Sequence, residues 1–88
     1  MILRTTNRFK KDLKRAESRG RDLDNLWVVL ETLLEGRELQ SRHRRHRLSG
    51  QWSEFWECHI EPDWLLIWES TEHALVLVRT GTHSDLFG

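Results

Sequence analysis

The sequence predicts one α+β domain of order β-α-α-β-β-β, with two helices packed on one face of a small sheet that ends in an antiparallel three-strand meander. Three observations carry that expectation. Two stripes of helical period run up to Gly36. A polar stretch without period comes next. After Gly50 the chain turns to aromatic and branched residues broken by tight turns. Eighty-eight residues is the length of a single domain, 1–88.

Ile2 to Thr5 is short and partly apolar, as a strand would be. Asn7 offers an N-cap for a first helix, in which Phe9, Leu13 and Ala16 make a narrow apolar stripe at i, i+4, i+7. Gly20 is placed to end it. Asp22 or Asp24 can cap a second helix. Its stripe is Leu23, Leu26, Trp27, Leu30, Leu33 and Leu34, so Trp27 is expected in the core, and Gly36 closes the helix. Residues 37–50 are expected to form a polar loop ending at Ser49-Gly50. Phe55 to Glu61, Trp64 to Ser70 and Ala74 to Thr82 are the expected strands, the first two joined by a turn in which Pro62 fixes φ.

The meander locates a candidate site. With Glu61 opposite Trp64, His59 falls opposite Leu66. A three-residue loop from Ser70 to Ala74 then sets Trp64 opposite Thr80 and Asp63 opposite Gly81. His59, Asp63, Trp64 and His83 gather at one sheet end, where neighbouring strands lie ~5 Å apart. The same register sends Arg79 to the face opposite His59. Imidazoles beside a carboxylate suit general acid-base chemistry near neutral pH. Trp64 and Phe87 are candidates to stack an unpaired base. A single histidine is more commonly a surface or hydrogen-bonded residue; the convergence is what raises these above that reading.

Zero net charge hides an asymmetry. Residues 1–47 hold 13 Lys/Arg against 7 Asp/Glu, and residues 48–88 hold one Arg against 7 Asp/Glu. The cations cluster at 8–21 and at Arg42, Arg44, Arg45 and Arg47, a pattern that suits phosphates as well as it suits a solvated face. No apolar run approaches the ~20 residues that span a bilayer, and Met1-Ile2-Leu3-Arg4 opens no secretory segment, so a cytoplasmic, non-membrane protein is expected. The single cysteine, Cys58, excludes an internal disulfide and reads as a small buried hydrophobe. His43-x-x-His46 is flanked by Arg44, Arg45 and Arg47, which would repel a cation, so no metal site and no cofactor are expected.

Three segments carry a family resemblance: Arg47-Leu48-Ser49-Gly50-Gln51-Trp52; Glu57-Cys58-His59-Ile60-Glu61-Pro62-Asp63-Trp64-Leu65-Leu66-Ile67; and Arg79-Thr80-Gly81-Thr82-His83-Ser84-Asp85-Leu86-Phe87-Gly88. Together they resemble the YafQ branch of the RelE/ParE toxin superfamily. The resemblance implies a RelE-like fold and a metal-independent endoribonuclease that cuts translated mRNA in the ribosomal A site. It matches the family's active-site histidines to His46, His59 and His83, its acidic residue to Asp63, and its aromatic partners to Trp64 and Phe87, with His83 as the proton donor. Asp63, His46 or His59 would then be base or phosphate partner. It also implies a type II antitoxin partner, often with an acidic tail that folds on contact; that tail is expected to lie across the basic helix and the Arg42–Arg47 cluster. Two alternatives stay open: a ParE-like gyrase inhibitor, and a homologue that acts only by binding. The family usually has Gly near Glu54 and often Arg at Trp56, and Trp68 stands where Tyr is usual.

Overall fold

The computed structural model describes residues 1–88. In chain order the elements are β1 (Ile2–Thr5), α1 (Asn7–Ser18), α2 (Leu23–Leu34), β2 (His46–Arg47), β3 (Trp56–Glu61), β4 (Trp64–Ser70), β5 (Ala74–Gly81) and α3 (His83–Phe87). Short 3₁₀ turns at Ser41–His43 and Gly50–Trp52 flank β2. The five strands order as β1-β5-β4-β3-β2, with β1 parallel to β5 and the other pairs antiparallel. No helix is long and apolar enough to cross a membrane.

Local chemistry sets the helix ends. The N-cap of α1 is Thr6, one residue before the expected Asn7: its Oγ1 accepts from the Phe9 N–H at 3.0 Å and also donates to the Val78 carbonyl at 2.8 Å. That second bond ties the cap to the sheet and fixes where the helix starts. Asp22 caps α2 through the Asp24 N–H. Gly20 and Gly36 come after the two helices with positive φ, as left-handed helix ends require.

The core lies between both helices and one face of the sheet. Phe9, Ala16, Leu26, Val29 and Leu30 meet Cys58, Ile60, Trp64, Leu66, Trp68, Leu75 and Leu77. Trp27 is not in it: 44% of Trp27 is exposed, and Val29 takes the expected place. At about 100° per residue, Leu26, Leu30, Leu33, Leu23 and Val29 lie within ~60° of one line, while Trp27 sits ~100° away. Leu34 is likewise on the rim. The burial of Cys58 is as expected, and it pushes the thiol up to about 12, so the group is inert as a nucleophile.

The loop expected over 37–50 contains a strand. His46 pairs with Glu57 and Arg47 with Trp56, which makes β2 the edge of the sheet. The register departs from a regular meander at two places. Glu61 does pair with Trp64, but a bulge at Ile60 sets His59 opposite Leu65 rather than Leu66. The β4–β5 hairpin pairs Ser70 with Leu75 rather than Ala74, and a second bulge, at Val78, adds one more residue of shift, so Thr80 lies opposite Leu66 rather than Trp64 and Gly81 opposite Leu65 rather than Asp63. Each bulge inserts one residue into a strand and flips the side chains beyond it. Arg79 therefore pairs with Ile67, in one row with Glu57 and His46, and shares the face of His59 instead of opposing it.

Candidate active site

The face away from the helices carries the candidate groups. His46, Glu57 and His59 point to it by strand alternation, and His46 and His59 are diagonal neighbours on adjacent strands. His46 is positioned by the turn before it. The buried His43 ring donates from Nδ1 to the His59 carbonyl at 2.6 Å, which pins residues 41–44 onto β3. Arg44 then takes a left-handed conformation (φ 48°), and its carbonyl accepts from His46 Nδ1 at 2.8 Å.

The other His46 nitrogen, Nε2, lies 3.2 Å from Glu57 Oε1. Glu57 is buried, and its Oε2 has no partner. Spacing alone does not single out Glu57; an acidic residue inside a run of apolar strand residues is the available signal.

His83 arrives from a third direction. It is the first residue of α3, a helix absent from the expected element order although Thr82-x-x-Asp85 is a capping-box pattern. Thr82 Oγ1 accepts from the Asp85 N–H, and Asp85 accepts from the Thr82 N–H, each at 3.0 Å. Arg19, the C-cap of α1, clasps the Asp85 carboxylate at 2.7 and 3.3 Å. That guanidinium, aided by the Thr82 N–H, holds the Asp85 carboxyl well below the usual carboxylate range. A Cβ on Gly81 would meet the Asp85 Cβ at 2.9 Å, so glycine lets α3 fold back against the end of β5.

Asp63, in the β3–β4 turn, receives His83 twice. Its Oδ1 accepts from the His83 backbone N–H at 3.0 Å and from His83 Nδ1 at 2.6 Å. These two donors, the backbone first, lower its carboxyl below the usual value. The His59 ring stands edge-on to the His83 ring with centroids 5.7 Å apart, and its Nδ1 donates to the Pro62 carbonyl at 3.2 Å. In this arrangement Nε2 of His59 offers a lone pair, while Asp63 supports positive charge on His83. A cleft of about 510 Å³ adjoins His59, with Arg42, Arg44, Asn25 and Glu61 on its walls.

Of the residues expected at the site, His46, His59, Asp63 and His83 stand on or around this face. Phe87, half exposed at the end of α3, is free to touch a ligand. Trp64 is not. It is 1% exposed, and its Nε1 donates to Thr80 Oγ1 at 2.9 Å, so it is a core residue and not a stacking platform. The bulge that shifted His59 also turned Trp64 inward. Arg79 is engaged by Asp12, at 2.6 Å from Nε and 3.1 Å from Nη2. No three His, Cys, Asp or Glu side chains converge as a metal-holding set.

Known proteins resemble this chain along its whole length. The family described as the bacterial toxin of type II toxin-antitoxin system, YafQ, matches residues 1–88. The mRNA interferase toxin YafQ of Escherichia coli K12 is 36% identical over 84 residues, covering 94% of this chain and 91% of that protein. A copper-bound mutant toxin from Helicobacter pylori superposes with TM-score 0.95 at 36% identity, covering 99% of both chains. The E. coli DinJ-YafQ complex superposes with TM-score 0.92 at 34% identity, covering 98% of this chain and 97% of that one.

Proposed function

The chain belongs to the YafQ family of bacterial type II toxin-antitoxin toxins, and we propose that it is an mRNA interferase whose acid-base pair is His83 and His59. The observation that carries the assignment is the His59–His83 ring pair, 5.7 Å between centroids, with each ring held through its Nδ1, on the Pro62 carbonyl and on Asp63. His59 Nε2 takes the proton of a ribose 2′-hydroxyl. The 2′-oxygen attacks phosphorus, the bond from phosphorus to the 5′-oxygen breaks, and His83 protonates the departing oxygen. The products are a 2′,3′-cyclic phosphate and a 5′-hydroxyl. Asp63 orients His83 and supports its charge, as an aspartate does for a histidine in other acid-base sites. His46, backed by Glu57, faces the phosphate, and Phe87 stacks the base. Each positioned proton transfer contributes about 10²–10⁴-fold.

Metal has no assigned step. The copper recorded in the H. pylori toxin is a property of that protein. The acidic and basic groups sit on an open face, and the substrate is mRNA held by the ribosome, which supplies the orientation an open site lacks.

A partner antitoxin holds the activity in check, as DinJ is found with YafQ in E. coli. Lys10, Lys11 and Lys14 on α1 are exposed and make no ion pair, which leaves them to an acidic segment. The apolar stripe of α1 is spent on the core, since Phe9 and Ala16 are buried. Exposed apolar anchors for the partner lie instead on α2, at Trp27 and Val28, and on β1, at Ile2 and Leu3. The test of the enzymatic reading is to add the purified chain to a translating extract and map new mRNA ends. New 5′-hydroxyl ends within reading frames support it; intact mRNA with stalled translation overturns it.

A further inference from the structure

The arginines of this protein are held in different ways. Arg15, Arg19, Arg21 and Arg79 are all paired with carboxylates, on Asp12, Asp85 and Glu61. Arg45 and Arg47 are not; both lie over the indole of Trp56, at 4.5 and 5.2 Å from guanidinium carbon to ring centroid. The distinction matters physically. A carboxylate positions a guanidinium by neutralising it. An aromatic face positions it and leaves its charge and its N–H donors unspent, at a gain of only ~0.5–1 kcal/mol when exposed. Trp56 is itself anchored, half-buried against the core on β3 and paired in register with Arg47. Two cations are therefore held in place with nothing on the protein to satisfy them.

Their position gives the ligand. β2 is the edge strand and is only His46–Arg47 long. Alternation sends His46 to the face of His59 and sends Arg45 and Arg47 to the other side of the same edge. A strand crossing this edge meets the arginines on one side and His46 on the other. Arg42 and Arg44, also without carboxylate partners, continue the cationic path along the cleft beside His59.

We infer that Arg45 and Arg47, seated on Trp56, form a phosphate clamp for the RNA strand flanking the scissile bond. The clamp rests on the ribonuclease reading above and adds to it a subsite outside the reacting groups. Trp56 is a positioning residue in it, holding two cations in place without taking up their charge.

The test measures binding separately from cleavage. In the His83→Ala background, a short fluorescein-labelled single-stranded RNA is titrated by anisotropy at several salt concentrations. Replacing Arg45 and Arg47 by Gln is expected to weaken binding about tenfold at low salt and to lower the salt slope by ~0.7 per arginine. Trp56→Ala, which removes no charge, is expected to weaken binding in the same direction, and Trp56→Phe to restore most of it. Should Trp56→Ala melt early, the two arginine variants decide, because those side chains are exposed. Unchanged affinity and salt slope in the arginine variants overturn the clamp. So does unchanged RNA binding with weakened association of the antitoxin, which would give the surface to the partner. Failure of the ribonuclease reading is separately visible, as intact mRNA in a translating extract supplied with the wild-type chain.

Discussion

His83 Nδ1 lies 2.6 Å from Asp63 Oδ1, and the same oxygen accepts the His83 backbone N–H at 3.0 Å. One carboxylate oxygen thus fixes both the position of the residue and the orientation of its ring. Replacing Asp63 by Asn keeps the size and removes the charge. Cleavage by Asp63→Asn is expected to fall about 10²-fold, short of the ~10⁴ that a buried orienting aspartate commands, because this pair is exposed. The His83 ring signals in a nitrogen-15 NMR spectrum should shift with it. Full activity in the variant would remove Asp63 from the mechanism.

Trp64 has a role in stability where the sequence suggested one in binding. The buried indole and its bond to Thr80 predict that Trp64→Ala costs about 3–5 kcal/mol. Denaturant unfolding measures it. A Trp64→Ala protein with wild-type stability and impaired RNA affinity would reverse this assignment.

Acid should loosen α3 through Asp85. Its carboxyl is held below the usual range by Arg19 and Thr82, so the folded chain binds fewer protons than the unfolded chain between the two values. The stabilisation is complete above the unfolded carboxylate value of ~3.9 and is lost as pH falls toward the folded one. In wild type, thermal stability should drop through that window. Asp85→Asn should be less stable at neutral pH and show a flatter acid limb. Identical acid limbs would mean that Asp85 does not hold α3.

How much of this was legible in the sequence depends on how local each cause was. Both helices, the three long strands and the turn at Pro62 follow from period and turn chemistry within a few residues. Thr6 won over Asn7 because its hydroxyl also reaches Val78, a contact distant in sequence. Trp27 was misplaced because the buried stripe is as wide as the expected one but rotated by about 40° toward Val29, which the leucine spacing alone does not show. The bulges carry no composition signal, and the one at Ile60 put Trp64 on the face opposite His59 and Arg79 on the same one. His46 was legible only through family resemblance, since its placement rests on a buried bond from His43 to β3.

The basic face of α1 predicts a salt-sensitive partner. Reversing Lys10, Lys11 and Lys14 to Glu should slow antitoxin association by about tenfold or more at low salt. Dissociation should change less, being set by apolar anchors. Stopped-flow rates at two salt concentrations check this. Rates indifferent to both salt and charge reversal would move the partner off α1.

The whole mechanism turns on His83 protonating the leaving oxygen. The rate at which new mRNA ends appear in a translating extract reads that step, with wild type or His83→Ala supplied and each shown to be folded by its melting transition. A loss of at least about 10²-fold is expected in His83→Ala with the fold intact; cleavage above about a tenth of the wild-type rate, where one lost proton transfer should cost far more, would contradict the assignment.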